Sequence, residues 1–469
     1  MQHFKPIKPI LLAGLFSLSI ASCNKENAPA ELNTPNTQRI VSTATVAYLL
    51  DGNKVNTHTT LIRQKIAELG ATETAFIPQL KMMAVRSAAP NFQTALESLG
   101  VNVHLDLKLS CPQVQSVPNN APALTTPATP NNNPLFPLQW NLQAISAPAA
   151  WALGYKGQGV RVAVLDVGFY MHHPDLEANI NQTLGRNFVG LPGENFLDPS
   201  FTGTGLSHAT HVTGIIAAID NNIGVVGVAP KVEILPIKVL PDEPNPLTQI
   251  SWVAQGIVYA VDHGAKVINM SLGGLVLQGS GQNATGIAYI KSLYNQAIQY
   301  AYNQGVTVIC AAGNDALDFD HTGSYEVLPS NSPHALCIAA TGPDTWYDKF
   351  LNNVPYNLDV PAFYTNYGIS RIDFAAPGGN FNFNSTSPNR FYDLVTSTAT
   401  ATGYDQELGT SMAAPHVAAV AALIIGKNGG SMSPTAVKTK LRQSADDLGS
   451  SGKDKYFGYG RVNALKAVQ

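Results

Sequence analysis

The chain is poor in charged residues. They make up 13% of its 469 residues, and the formal net charge is −3. So small a net charge offers no electrostatic attraction to nucleic acid or to an anionic membrane surface, and we expect neither as a partner. Hydrophobic residues make up 45%, which excludes wholesale disorder. The length allows one large domain together with a small one.

Cysteine is also scarce, with four residues in the chain. None belongs to a C-x-x-C pair or to a cluster of Cys and His, which argues against a zinc site. Cys310 and Cys337 each lie in a short apolar run that is typical of a buried strand. We therefore expect both to be free thiols in a core.

Long apolar runs are nearly absent, and the run Ile10–Ile20 is too short to span a bilayer. Lys5 and Lys8 precede this run, and the segment Ile20–Cys23 resembles a bacterial lipobox, which implies lipidation of Cys23. The alternative is an ordinary signal peptide with an incidental cysteine. We predict a lipoprotein signal peptide over residues 1–22. The protein would then be exported, as an envelope lipoprotein held to the membrane only through lipid, or secreted after processing.

The next two segments differ in composition and in the pattern of their apolar residues. Residues 23–38 are rich in Asn, Pro, Ala and Thr, which predicts a tether. Residues 39–111, called the N-terminal module below, follow the order strand, helix, hairpin, helix, strand, which is typical of a ferredoxin-like α+β fold. Apolar and polar residues alternate strictly over Val101–Leu109, which predicts one half-buried strand.

A second domain is expected over residues 135–469. Residues 112–134 before it are dense in Pro, Asn and Thr, which predicts an exposed linker of the kind that proteases nick. Apolar strand-like runs then alternate with helical stretches. This alternation predicts an α/β fold, a parallel sheet with helices on both faces. In such folds functional residues gather at the carboxyl ends of the strands.

Three short segments of this domain carry candidate catalytic groups. Asp166 ends a strand, His208 begins an apolar helix, and Ser411 lies in the run Gly409–Pro415 that leads into another helix. A serine hydroxyl is a weak nucleophile until an imidazole takes its proton. The imidazole in turn needs a carboxylate on its other nitrogen. The chain supplies one candidate for each role.

These segments resemble the signatures of the subtilase family, in the chain order Asp, His, Ser that subtilisin has. The resemblance extends over Leu138–Val468. It implies that Asp166 is the orienting acid, His208 the general base and Ser411 the nucleophile. It also implies that the Asn314 amide and the Ser411 backbone N–H stabilise the oxyanion; one such donor is typically worth about 3–4 kcal/mol.

The same resemblance implies a substrate-binding strand at Ile268–Gly274, where the backbone of Ser271, Leu272 and Gly273 would pair with an extended peptide. The alternative is an ordinary strand that ends in a glycine turn.

A structural calcium site is implied as well. Asp175 and Asn221 would contribute side-chain oxygens, and Ile219, Ile223 and Val225 would contribute carbonyls, which suit a hard cation. The alternative is the same loop closed without metal.

Several positions depart from the family pattern. Ala209 replaces a usual glycine, and Val167 replaces a usual Ser or Thr. Three prolines in Pro241–Pro246 stand where many relatives have a glycine-rich edge strand, so we expect substrate pairing there to be weaker or differently shaped. An insertion is expected around Leu275–Gly286. These changes affect specificity rather than chemistry.

The sequence therefore predicts a serine endopeptidase that acts on extended polypeptides through an acyl-enzyme, as a monomer. Its N-terminal module resembles the family's prodomain, which inhibits the enzyme until it is removed. Two other hypotheses are a binding protein that has lost catalysis, which predicts a damaged catalytic residue, and an acyl transferase to amines, which shares the acyl-enzyme. His211 and His416 are expected to be structural.

Overall fold

The computed structural model of the chain describes residues 45–111, 132–190, 205–243, 246–277 and 284–469. The predicted signal peptide, Cys23, the tether and most of the linker lie outside these residues. Residues 44–469 form one compact unit, which contains both the N-terminal module and the second domain.

The N-terminal module folds as a four-stranded antiparallel sheet in the order β2-β3-β1-β4. Its chain turns between β2 and β3 at Lys81, which has a φ of 52°. Apolar residues of the strands and helices form one core beneath the sheet, with Leu50, Ile62, Val85 and Phe92 fully or almost fully buried. The elements are β1 (Val46–Asp51), α1 (Asn53–Thr57), α2 (Thr59–Glu68), β2 (Thr72–Ile77), β3 (Met82–Ser87), α3 (Phe92–Glu97) and β4 (Asn102–Leu105).

Strand β5 (Lys108–Ser110) is the last strand of the N-terminal module and lies outside the module's sheet. The strands of the second domain are β6 (Arg161–Asp166), β7 (Arg186–Asn187), β8 (Glu233–Lys238), β9 (Leu247–Gln249), β10 (Val267–Met270), β11 (Gly274–Leu277), β12 (Thr307–Ala311), β13 (Tyr325–Leu328), β14 (Ala335–Gly342), β15 (Val360–Pro361), β16 (Phe374–Pro377), β17 (Val395–Thr398) and β18 (Tyr404–Glu407). Of these, β10, β12 and β14 are buried along their whole length, as a covered parallel sheet requires.

The main sheet runs in the order β15-β14-β12-β10-β6-β8-β7, with β16 also pairing with β14. Every pair is parallel except β14–β15. The helices are α4 (Trp140–Ala144), α5 (Ala147–Ala152), α6 (His208–Ala217), α7 (Ile250–Asp262), α8 (Ala284–Asn303), α9 (Trp346–Leu351), α10 (Thr410–Lys427), α11 (Pro434–Ser444) and α12 (Ala464–Val468). The predicted α/β class is confirmed.

Helices α6 and α10 pack on one another and on the sheet, while α7 packs on α8. Among the described helices, α10 alone is long and apolar enough to cross a membrane, but 89% of it is buried inside the protein, as a core helix is. Cys111, Cys310 and Cys337 are free and buried, which confirms the expectation for the last two.

The prediction of a single strand over Val101–Leu109 is wrong. The chain leaves the module's sheet after Leu105, which is 51% exposed, and resumes as β5, where Leu109 is 5% exposed. Strand β5 pairs with β9 of the second domain in antiparallel register. Alternation of apolar residues is a local signal, and it cannot reveal that one run is shared between two sheets.

Candidate active site

Asp166 is the last residue of β6, at the carboxyl edge of the parallel sheet, and its side chain is fully buried. The carboxylate accepts hydrogen bonds from the Val167 backbone N–H at 2.8 Å and from His208 Nδ1 at 2.9 and 3.0 Å. A carboxylate can only accept, so Nδ1 carries the proton and Nε2 is left as the basic nitrogen. The predicted acid and base are thus in contact.

His208 is the first residue of α6, and the helix start is fixed by Ser207, whose hydroxyl accepts from the Thr210 N–H at 3.1 Å. Burial by itself lowers the pKa of His208, but the charge of Asp166, its hydrogen bond and the charge of Glu407 together raise that pKa above 6.5. Nε2 is buried and has no hydrogen-bond partner among the described residues. The base is therefore free to accept a proton.

Ser411 is the second residue of α10 and is buried. Its hydroxyl donates to the carbonyl of Ser271 at 3.1 Å, and the Ser271 hydroxyl donates to the Ser411 carbonyl at 2.7 Å. Ser411 therefore rests against the predicted substrate-binding strand rather than in a hydrogen bond with His208. Such bonds often form only when substrate is bound.

Asn314 follows β12, and its side chain is held by the start of α10. Its Oδ1 accepts from the Thr410 backbone N–H and from the Thr410 hydroxyl, both at 2.9 Å. No described residue accepts a hydrogen bond from its amide nitrogen, so this nitrogen is left as a donor. Asn314 and Ser411 line the same cavity of about 370 Å³, so the predicted oxyanion donor and the predicted nucleophile border one space.

The predicted substrate-binding residues Ser271, Leu272 and Gly273 line this cavity too. Opposite them, the edge of β9 pairs with β5, and the Pro246 carbonyl accepts from the Cys111 N–H at 3.0 Å. The edge strand is therefore present just after the prolines that were expected to weaken it. Proline lacks a donor but keeps its carbonyl, which explains how the pairing continues.

The predicted calcium loop lies around Asp175, which is buried. The carboxylate accepts from Asn221 Nδ2 at 3.1 Å, from the Val225 N–H at 3.0 Å and from the Tyr404 hydroxyl at 2.9 Å. Burial raises the pKa of Asp175, and these three donors partly offset the rise.

The carbonyls of this loop suit a hard cation, whereas the predicted side-chain ligand Asn221 is engaged, because its Oδ1 accepts a hydrogen bond from the Ile223 N–H at 3.1 Å. Among the described residues, no backbone N–H donates to the carbonyls of Ile219, Ile223 or Val225. Three unpaired carbonyls beside a carboxylate are what Ca²⁺ prefers. The described residues hold no cluster of three His, Cys, Asp or Glu for a metal, and a site built from carbonyls does not require one.

Sequence reasoning missed Glu407, a half-buried residue of β18 four positions before Ser411. Burial raises its pKa to about 7; the charges of Asp405 and Asp166 add to the rise, and the charge of His208 opposes it. A carboxylate only four residues before the predicted nucleophile Ser411 was a signal that could have been used.

The two other histidines of the motifs are structural, as expected. His211 Nε2 bonds to the Val395 carbonyl at 3.1 Å, and His416 Nδ1 bonds to the Met412 carbonyl at 2.7 Å. Burial lowers the pKa of His211 to about 3 and that of His416 to about 4. Ala209 lies inside α6 without a positive φ, so the replacement of glycine there causes no strain.

Comparison with known proteins agrees with this geometry. The model of the subtilase family matches residues 157–460. The chain is 34% identical to thermitase of Thermoactinomyces vulgaris over 73% of this chain and 99% of that protein. It is 36% identical to subtilisin Savinase of Lederbergia lenta over 70% of this chain and 98% of that protein.

Solved structures agree in fold. The epidermin leader peptide processing serine protease of Staphylococcus aureus superposes with a TM-score of 0.71 at 21% identity, covering 90% of this chain and 99% of that one. A lanthipeptide protease superposes with a TM-score of 0.55 at 30% identity, covering 70% of this chain and 94% of that one. With its Asp, His and Ser in place and its sequence related along most of the second domain, the chain belongs to the subtilase family of serine peptidases.

Proposed function

We propose that the protein is a serine endopeptidase that hydrolyses extended polypeptides through an acyl-enzyme on Ser411. The observation that carries the proposal is the hydrogen bond from His208 Nδ1 to buried Asp166, which leaves Nε2 as a buried, unpartnered base. An intact acid and base also argue against a binding protein that has lost catalysis.

The reaction begins when the Ser411 hydroxyl leaves the Ser271 carbonyl and attacks the peptide carbonyl carbon. His208 Nε2 takes the hydroxyl proton, and Asp166 stabilises the imidazolium. The negative oxygen of the tetrahedral intermediate receives hydrogen bonds from Asn314 Nδ2 and from the Ser411 N–H; one such donor is typically worth about 3–4 kcal/mol. The imidazolium then protonates the leaving amine, and water releases the acyl group by the same route.

The substrate class follows from the walls of the cleft. The cavity beside Ser411 is lined by Leu272, Val327 and Tyr364, among others, and it suits one bulky apolar side chain. The edge of β9 offers backbone groups in an antiparallel register, which suits an extended main chain.

We propose in addition that the N-terminal module is an inhibitory prodomain and that the linker at residues 112–134 is cut by the enzyme itself. Support comes from β5, which pairs with the edge that a substrate would use. The chain continues to Cys111, a buried residue whose thiol lies against the Gly273 backbone; burial raises the pKa of this thiol to about 12. The module's last residues thus run along the cleft toward Ser411.

One variant tests chemistry and maturation together. Ser411→Ala should abolish labelling by a fluorophosphonate and lower peptidase activity by several orders of magnitude. It should also remain at full length apart from signal removal, as intact mass would report. Ser330→Ala, which removes a buried serine hydroxyl outside the cavity, should label and mature normally. Undiminished activity of Ser411→Ala would overturn the catalytic assignment; normal shortening of the inactive variant would overturn self-processing.

We infer that calcium is a structural cofactor of the loop at Ile219–Val225. Its carbonyls and the Asp175 carboxylate would hold the ion, which would supply positive charge to oxygens that otherwise repel one another. It has no part in the reaction at Ser411. Export, lipidation at Cys23 and a monomeric state are proposed from the sequence alone.

A further inference from the structure

A row of aromatic rings leads outward from the catalytic cavity. Phe363 lines the cavity together with Ser411 and is 47% exposed. The ring of Phe383 meets it edge to face, with centroids 5.2 Å apart and planes at 78°. Phe383 is 66% exposed, and among the described residues no large apolar side chain is more exposed. The two rings thus expose apolar surface directly beside the cavity.

The outer ring is held firmly in place. Phe383 packs on Phe381 with centroids 5.0 Å apart, and Phe381 is buried against Phe391 at 5.5 Å. The guanidinium of Arg390 lies over the Phe381 ring at 5.0 Å, a cation–π contact. The Phe383 side chain is therefore held by packed neighbours, so it loses little conformational freedom when a ligand contacts it.

The backbone on either side of Phe383 is fixed as well. The Asn384 N–H donates to Asn382 Oδ1 at 2.9 Å, and Asn382 Nδ2 donates to Asp344 Oδ1 at 3.0 Å. These bonds close the turn that carries the ring and tie it to the chain before α9.

The size of this surface limits what can cover it. A phenylalanine side chain buries at most about 150–250 Å², and about 1,200–2,000 Å² is buried in a stable protein interface. The two exposed rings are too small to hold a second copy of the chain. Their exposed area suits a single side chain of a peptide that is already bound in the adjoining cleft. Contact of that side chain with the rings is then intramolecular and needs little additional area.

We propose that Phe363 and Phe383 form an apolar ledge that binds a bulky aliphatic or aromatic side chain of the substrate, near the one held in the cavity. The ledge rests on the proposed peptidase function. Because it binds the substrate equally before and during the reaction, its loss should raise KM and leave kcat unchanged.

The test compares the wild-type enzyme with Phe383→Ala on two kinds of substrate. Internally quenched octapeptides carry Phe, Leu or Ser at each position flanking the cleaved bond, and a short tripeptide p-nitroanilide serves as reference. At one flanking position the wild type should prefer Phe or Leu over Ser about tenfold. Phe383→Ala should reduce this preference to about twofold through KM and cleave the reference normally.

Phe350→Ala is the matched control, because Phe350 is a 43% exposed aromatic residue of α9 that packs on Trp346 and Tyr347 rather than on the cavity wall. Phe350→Ala should retain the wild-type preference for Phe or Leu over Ser. An unchanged preference in Phe383→Ala, or an equal loss in Phe350→Ala, overturns the ledge alone. Failure of the wild type to cleave the reference overturns the peptidase function and the ledge with it. A wild-type dimer in gel filtration that Phe383→Ala dissociates assigns the rings to self-association and overturns the proposal.

Discussion

The carboxylate of Asp106 makes the stability of the precursor depend on pH. Asp106 joins the N-terminal module to α7, where it accepts from the Ser251 N–H at 3.3 Å and from the Ser251 hydroxyl at 2.6 Å. The helix N-terminus and these bonds favour the charged carboxylate, whereas burial disfavours it. Burial prevails and raises the pKa of Asp106 from 3.8 to about 6.

The direction of this pH dependence follows from the linkage between proton binding and folding. The folded chain holds this proton to a higher pH than the unfolded chain does, so the contribution to stability is fully present below about pH 4 and is lost as pH rises to about 6. The difference between 3.8 and about 6 corresponds to about 3 kcal/mol. Asp106→Asn removes the charge and keeps one acceptor for Ser251. It should therefore stabilise the folded chain at pH 8 by about 3 kcal/mol, because the net pKa shift of Asp106 already includes its hydrogen bonds to Ser251.

The assay is urea unfolding of Ser411→Ala protein, which cannot digest itself, with and without Asp106→Asn, between pH 4 and pH 8. The two proteins should be equally stable near pH 4 and diverge above it. Asp262→Asn is the control: Asp262 also accepts a bond from the module, from Gln79 Nε2 at 2.6 Å, but it is exposed. It should give no gain at pH 8. If Asp106→Asn is less stable than its parent at pH 8, the helix terminus outweighs burial and the reasoning is refuted.

Two further predictions concern the active site and the calcium loop. Charged Glu407 raises the pKa of His208, so Glu407→Gln should lower this pKa and move the acid limb of the kcat/KM profile to lower pH. A shift of the acid limb to higher pH, or no shift, would contradict this. Calcium at about 100 times its Kd should stabilise Ser411→Ala protein by about 2.7 kcal/mol in thermal scans against chelator. Asp175→Asn should weaken this effect more than Asn221→Ala. Superimposable curves of the Ser411→Ala protein with calcium and with chelator would contradict the calcium site.

The positions of the candidate catalytic residues could be predicted because each lies in a short segment that forms one local structure. Asp166 ends a strand, and Ser411 is the second residue of a helix that Gly409 precedes with a φ of 154°, so a few neighbouring residues determine each position. The chain order then identified the family.

Contacts between distant segments could not be predicted in this way. Asp106 and Ser251 are 145 residues apart, and neither position stands out in the sequence. Phe383 stands with Phe381 in an otherwise polar stretch of the sequence, and nothing local indicates its contact with Phe363. Such pairs depend on tertiary packing, which local patterns do not report.

The hydrogen bonds between the proposed prodomain and the second domain fall into two kinds. Strand β5 holds the edge of β9 through main-chain bonds, which any extended peptide can make. Asp106 on Ser251 and Gln79 on Asp262 use side chains of the module that lie outside the cleft. A substrate therefore competes for the strand pairing but not for these outer contacts. If the module is an inhibitory prodomain, it occupies this edge at a high effective concentration while it is joined to the enzyme, and substrates of similar strand affinity would be excluded. Cutting the linker would remove that advantage, so release would then depend on the outer contacts.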